Sequence, residues 1–118
     1  MPNAVIDRYL AMWNETDAEQ RRELIAQTWT EDGSYVDPLM SGTGYAGLDT
    51  MVAGVQQHYP DHRFQRTGPI DTYQDRLRFT WALAAEGAPA IVTGTDFGVL
   101  AADGRLQAIT GFFDPKLA

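Results

Sequence analysis

The sequence predicts an α+β fold, and three observations carry that prediction. Apolar residues recur at helical spacing in three segments before Pro60 and at every second position after it. The helices are gathered in the first half, whereas a βαβ fold would alternate them with strands. At 118 residues and 44% hydrophobic, the chain is sized for one domain around one core.

The first helix is expected over Asn3 to Asn14, with Ile6, Tyr9, Leu10 and Trp13 on one face. Thr16-Asp17-Ala18-Glu19 has the pattern of a capping box opening a second helix. Its inner face would be Leu24, Ile25, Thr28 and Trp29. Glu31-Asp32-Gly33 reads as a turn, and Ser34 to Asp37 as a short strand stopped by Pro38. Gly42, Gly44 and Gly47 suggest a flexible connector. A third helix runs from about Leu48 to His58, with Leu48, Met51, Val52 and Val55 inward, and Pro60 ends it.

Beyond Pro60 the period is two. Arg63 to Tyr73 reads as one strand, irregular at Gly68-Pro69. Arg76 to Ala85 alternates cleanly, with Leu77, Phe79, Trp81 and Leu83 on one face and Arg76, Arg78 and Thr80 on the other. Ala90 to Leu100 and Arg105 to Phe113 are two further strands, joined by an Ala102-Asp103-Gly104 hairpin. A mostly antiparallel sheet curving around the third helix leaves a hollow at one end.

Composition narrows the function classes. With no cysteine, thiolate chemistry, thiolate metal sites and disulfides are excluded. A net charge of −7 disfavours a nucleic-acid partner. The apolar runs are too short to span a bilayer, and Met1-Pro2-Asn3 does not open a signal peptide. The expected compartment is the cytoplasm. The glycines between Ser41 and Gly47 are not followed by the Lys-Ser/Thr of a phosphate loop. His58 and His62 have no third ligand nearby, so no metal site is expected.

Three side chains at inward positions suit proton transfer beside a carbonyl: Tyr9, Asp37 and Asp96. Each also has a plainer reading. Asp37 is either a general base at a strand end, free to swing between two carbons, or an Asp-Pro turn residue capping local backbone. Asp96 lies mid-strand between Gly94 and Gly98, either neutral in a pocket with open space around it or exposed on the outer face. Tyr9 is either a hydrogen-bond donor to a ligand or a core tyrosine.

The order of elements resembles the nuclear transport factor 2-like superfamily, whose cone-shaped folds hold a pocket between curved sheet and helices. Within it the chain resembles the SnoaL-like group and the ketosteroid isomerases. VIDRYLAMWNETD (Val5 to Asp17) is similar to their first helix, WTEDGSYVDP (Trp29 to Pro38) to their first strand, and AIVTGTDFGVLAADGRLQAITGFF (Ala90 to Phe113) to their last hairpin. The resemblance implies Tyr9 and a protonated Asp96 as oxyanion donors and Asp37 as general base. Trp13, Trp29, Met40, Val52, His62, Phe64, Trp81 and Phe113 would then line the pocket. Val52 stands where the isomerases carry a supporting tyrosine, and Trp29 where some carry another. Limonene epoxide hydrolases share the fold but need Arg-x-Asp on the long strand, which here reads Thr80-Trp81-Ala82. The resemblance therefore implies a cofactor-free isomerase or cyclase acting on a small hydrophobic carbonyl compound, as a homodimer. The alternatives are a non-catalytic binding protein for a hydrophobic metabolite and an interaction module.

Overall fold

The computed structural model describes residues 2–115. Helices α1 (Pro2–Asn14) and α2 (Ala18–Thr28) lead into β1 (Trp29–Val36) and β2 (Ser41–Thr43). Helix α3 (Gly44–His58) follows. Then come β3 (His62–Arg66), β4 (Asp71–Tyr73), β5 (Arg76–Ala85), β6 (Val92–Leu100) and β7 (Leu106–Phe113). The strands form one curved, open sheet in the order β2-β1-β7-β6-β5-β3, with β4 also paired to β5. Among the described residues only the β1–β7 pairing is parallel. Among the described residues no helix is long and apolar enough to cross a membrane.

The periodic segments fold as their spacing predicts. Leu77, Phe79, Trp81 and Leu83 of β5 are all buried, as are Leu48, Met51, Val52 and Val55 of α3. Val5, Ile6, Tyr9, Met12 and Trp13 of α1 pack between them, and Leu10 is only half-buried.

Other segments depart from expectation for identifiable reasons. The cap of α2 is Asp17, not Thr16: its carboxylate accepts from the Gln20 N–H at 3.0 Å. Glu31-Asp32-Gly33 is no turn but the buckled middle of β1, where the register against β7 shifts between Trp29 and Ser34. A side chain at Gly33 would strike the Trp29 ring at 2.7 Å. The glycine connector contains the short strand β2, and α3 begins four residues earlier than expected, at Gly44. The expected strand from Arg63 to Tyr73 is two strands, both paired to β5 and separated at Gly68-Pro69.

Polar contacts hold the helices to one another. Arg21 is buried on the inner face of α2, in step with Ile25 and Thr28. Its guanidinium pairs with Asp49 at 2.7 Å and donates to Gln56 Oε1 and the Glu15 carbonyl. Gln56 in turn donates to the Trp13 and Glu15 carbonyls, so one cluster ties the end of α1 to α2 and α3. Asn14 extends the tie to the sheet by exchanging two hydrogen bonds with the Phe64 backbone. Arg21→Met is expected to destabilise the fold by roughly 2–4 kcal/mol, since it strands Asp49, Gln56 and the Glu15 carbonyl. Urea unfolding at pH 7 measures this, and a loss below about 1 kcal/mol would show the cluster to be dispensable.

Candidate functional site

The candidate site lies at the hollow end of the sheet, and sheet register builds it. Phe79, Asp96 and Gly111 stand opposite one another on β5, β6 and β7, forming a row across the inner face. The neighbouring rows are Trp81, Gly94 and Phe113, and Leu77, Gly98 and Ile109. Asp96 is thus an inner-face residue, 3% exposed.

The space beside Asp96 is not where the sequence suggested. A side chain at Gly94 would collide with the Trp81 ring and the Phe112 carbonyl, and one at Gly98 with Ile109 and Leu77. Those glycines let neighbours close in. Gly111 also permits close approach: an added carbon there would lie 2.9 Å from Asp96 Oδ1, 3.1 Å from the Tyr35 hydroxyl and 3.3 Å from Asp37 Cβ, so the missing side chain lets these three groups converge.

Both oxygens of Asp96 are engaged. Oδ2 accepts from the Tyr9 hydroxyl at 2.7 Å and Oδ1 from Trp81 Nε1 at 2.9 Å. Burial pushes the carboxyl up to about 6; the two hydrogen bonds pull it back, and the nearby Asp37 charge pushes it further up. Burial also raises Tyr9 well above the usual phenol value, and the Asp96 charge adds to that. Tyr9 is therefore a proton donor at any ordinary pH.

Asp37 faces the same cavity from the end of β1. Its Oδ1 accepts from the Leu39 and Met40 N–H groups at 2.8 and 3.0 Å, closing the Asp-Pro turn. Its Oδ2 accepts from the Tyr35 hydroxyl at 2.6 Å. Held on both oxygens, Asp37 is not free to swing. The same contacts show both local readings at once: one oxygen caps backbone, and the other points into the site. Tyr35 was missed by sequence reasoning, although it lies two residues before Asp37 and so on the same strand face. Its hydroxyl proton is held far more tightly than usual, chiefly by burial and then by Asp96 and Asp37.

The cavity between the two carboxylates measures about 60 Å³. Trp13, Met40, Phe64, Trp81 and Phe113 line it with Tyr9, Tyr35, Asp37 and Asp96. Edge-to-face or tilted contacts run from Tyr35 to Trp13, Phe64, Trp81 and Phe113, with ring centres 5.1–5.9 Å apart. Three expected lining residues lie elsewhere. Trp29 is wholly buried beneath the site, its Nε1 donating to Met12 Sδ at 3.3 Å. Val52 is wholly buried in the helix core. His62 turns back to the Pro60 carbonyl at 2.9 Å. The missed wall residues are Leu10, Val55, Tyr59, Leu83 and Val92, with Leu39 at the mouth. They escaped because curvature, not local period, turns them toward the hollow.

No family model and no curated protein matches this chain. Solved structures do. A protein from Agrobacterium tumefaciens strain C58, described as a candidate isomerase of the SnoaL-like family, is 38% identical over 95% of this chain and 96% of its own, with a TM-score of 0.90. A nuclear transport factor 2-like protein of unknown function from Exiguobacterium sp. 255-15 is 22% identical over 95% and 99% of the chains, with a TM-score of 0.74. A candidate SnoaL-like polyketide cyclase from Jannaschia sp. CCS1 is 15% identical over 93% and 85%, with a TM-score of 0.69. The last two share the fold alone. The first, similar across nearly the whole of both chains, places this chain in a family: it belongs to the SnoaL-like family.

Proposed function

We propose that this single-domain protein is a cytoplasmic, cofactor-free isomerase or cyclase that moves a proton alpha to a carbonyl of a small hydrophobic compound. One observation carries the reading: two carboxylates in unlike environments face one aromatic cavity. Asp96 is deeply buried and holds its proton up to about pH 6, whereas Asp37 sits half-buried at the mouth. Opposed environments of this kind divide acid from base. Asp37 Oδ2 takes the alpha proton, and the electron pair passes to the carbonyl oxygen. When Asp96 is protonated, it and Tyr9 carry two O–H groups, of which one is spent between them and one is left for that oxygen. Asp37 then returns its proton at another carbon. The relatives described as an isomerase and a cyclase agree with this class of reaction.

The substrate is small. A cavity of about 60 Å³ is far below the roughly 300–1,000 Å³ of drug-sized sites, so a four-ring steroid does not fit it as formed. Even one ring requires Met40 and the exposed Leu39 to move aside.

The second reading, a binding protein without turnover, is favoured by one observation: both oxygens of Asp37 already have partners. Deuterium exchange alpha to the carbonyl separates the two. With cyclopentanone, cyclohexenone and acetylacetone as probes in D₂O, followed by proton NMR, the enzyme reading expects exchange faster than in protein-free buffer. Binding of the probes with no acceleration for any of them would leave the binding protein as the function.

The homodimer is proposed through the outer sheet face. Phe97 and Phe112 are exposed there in edge-to-face contact at 5.7 Å, and Val36 lies beyond them on β1. Phe97→Glu is expected to halve the mass seen by light scattering after size exclusion, with the fold intact. A wild-type protein already monomeric at 100 µM (about 10⁻⁴ M, a weak association) would end the proposal.

A further inference from the structure

We propose that the groove between β2 and α3 is a second binding site, which takes the part of the substrate that the aromatic cavity cannot hold, and that this part is an uncharged alkyl or alkenyl chain on the reacting ring. This rests on the function proposed above and names the substrate class of that same site.

Volume comes first. The cavity of about 60 Å³ admits at most a reacting end, whereas the adjoining groove measures about 810 Å³, within the roughly 300–1,000 Å³ of small-molecule sites. The two are separated by side chains that line both: Leu39, Met40, Val55 and Tyr59. Leu39 and Met40 belong to the turn after Asp37. Leu39 is 74% exposed, and Met40 is an unbranched, adaptable thioether. The movement that admits a ring to the cavity therefore also joins the cavity to the groove. A ring held at Asp37 then sends its substituent past Met40 and along α3.

The lining states what that substituent is. Although 21% of the chain is charged, none of the described residues along the groove is Asp, Glu, Lys or Arg. Away from the cavity its polar groups are the hydroxyls of Ser41, Thr43 and Thr50, set among Gly42, Ala46 and Gly47. A carboxylate on the substituent would meet no Lys or Arg there, in the field of a chain of net charge −7. An apolar chain loses nothing by leaving water for such a surface.

Gly54 is an independent observation. It stands inside α3 without a positive φ, and a side chain there would meet no described atom within 4 Å. Neither backbone nor packing calls for glycine, which weakens a helix relative to alanine. Its absent side chain keeps the groove open midway along its length. From Val55 back to Ala46 the lining covers about 14 Å at roughly 1.5 Å per residue, enough for a pentyl chain.

The groove is tested by comparing cyclopentanone with 2-pentylcyclopentanone. In wild type the pentyl ketone is expected to bind at least fivefold more tightly by ligand-observed NMR. It is also expected to shift the backbone amide signals of Gly42, Gly47 and Gly54, which cyclopentanone leaves in place. Gly54→Leu puts a side chain into the groove without a clash and is expected to bring the affinity ratio close to one. Should that variant fail to fold, the wild-type amide shifts decide alone. A gain below fivefold, a gain kept in Gly54→Leu, or glycine signals unmoved by the pentyl ketone overturns the groove. So do glycine signals that move with protein concentration instead, which would give the groove to a second copy of the chain. If the gain and the shifts hold but neither ketone exchanges, the groove stands and the enzymatic reading falls. Exchange without the gain leaves the enzyme and removes the groove.

Discussion

Asp37→Asn is expected to slow alpha-proton exchange by roughly 10²–10⁴-fold, the usual contribution of a general base. The variant isolates basicity from architecture. The Asn oxygen still accepts from the Leu39 and Met40 N–H groups, so the turn survives. The Asn NH₂ replaces Oδ2 and donates to the Tyr35 hydroxyl, reversing that hydrogen bond without breaking it. Stability should therefore stay within about 1 kcal/mol of wild type. Initial exchange rates on the fastest of the small ketones measure the effect. A loss of less than about tenfold would remove Asp37 from the role of base, leaving Asp96 as the one carboxylate of the cavity able to fill it.

The second large effect is on stability and its pH dependence. Burial holds the folded Asp96 carboxyl near 6 against an ordinary value of 3.8, so the folded state binds this proton more tightly than the unfolded chain does. Below pH 3.8 both states are protonated and the folded state bears no buried charge here. As pH rises from 3.8 through 6, the folded state gives up a proton that it holds more firmly, and stability falls. Above 6 the loss is complete, at roughly 3 kcal/mol. Asp96→Asn removes this dependence. Its amide oxygen accepts from Trp81 and its NH₂ donates to the Tyr9 oxygen, which leaves the Tyr9 proton without its acceptor and offsets part of the gain. The variant is expected to exceed wild type at pH 7 by up to about 3 kcal/mol and to lose that advantage by pH 3.5. Urea melts of both proteins across pH 3.5–8 measure the difference, in which the other carboxylates cancel. A difference flat with pH would show that Asp96 is not strained by burial. The expected exchange of stability for activity fits a charge kept in an apolar site for chemistry.

Much of the fold was legible because each long element is decided by its own residues. β5 runs from Arg76 to Ala85 as its alternation predicts, because burying Leu77, Phe79, Trp81 and Leu83 together demands period two. The inner face of α3 follows likewise from Leu48, Met51, Val52 and Val55. Legibility failed where local signals and distant partners disagree. Glu31-Asp32-Gly33 carries turn residues, yet pairing with β2 and β7 on either side of the buckle draws it into a strand. Arg21 is charged on a buried stripe, which composition assigns to solvent until Asp49 and Gln56 arrive from α3.

The candidate site divides in the same way. The sequence alone determined that Tyr9 points inward, because the period of a helix settles which face a side chain takes, whereas it left Asp96 between the inner and outer faces of its strand. It also showed Asp37 at a strand end with a turn behind it. Only the tertiary structure decided what those groups meet. Register sets Asp96 beside Gly111 rather than beside a side chain, so Tyr35 and Asp37 can close in on it there. Sheet curvature brings Tyr35 of β1 and Asp37 just beyond it over Gly111 toward Asp96, and leaves Trp29, Val52 and His62 outside the wall. Periodicity is a property of neighbours along the chain. Proximity between Asp37 and Asp96 depends on register and curvature, which every strand between them helps to set.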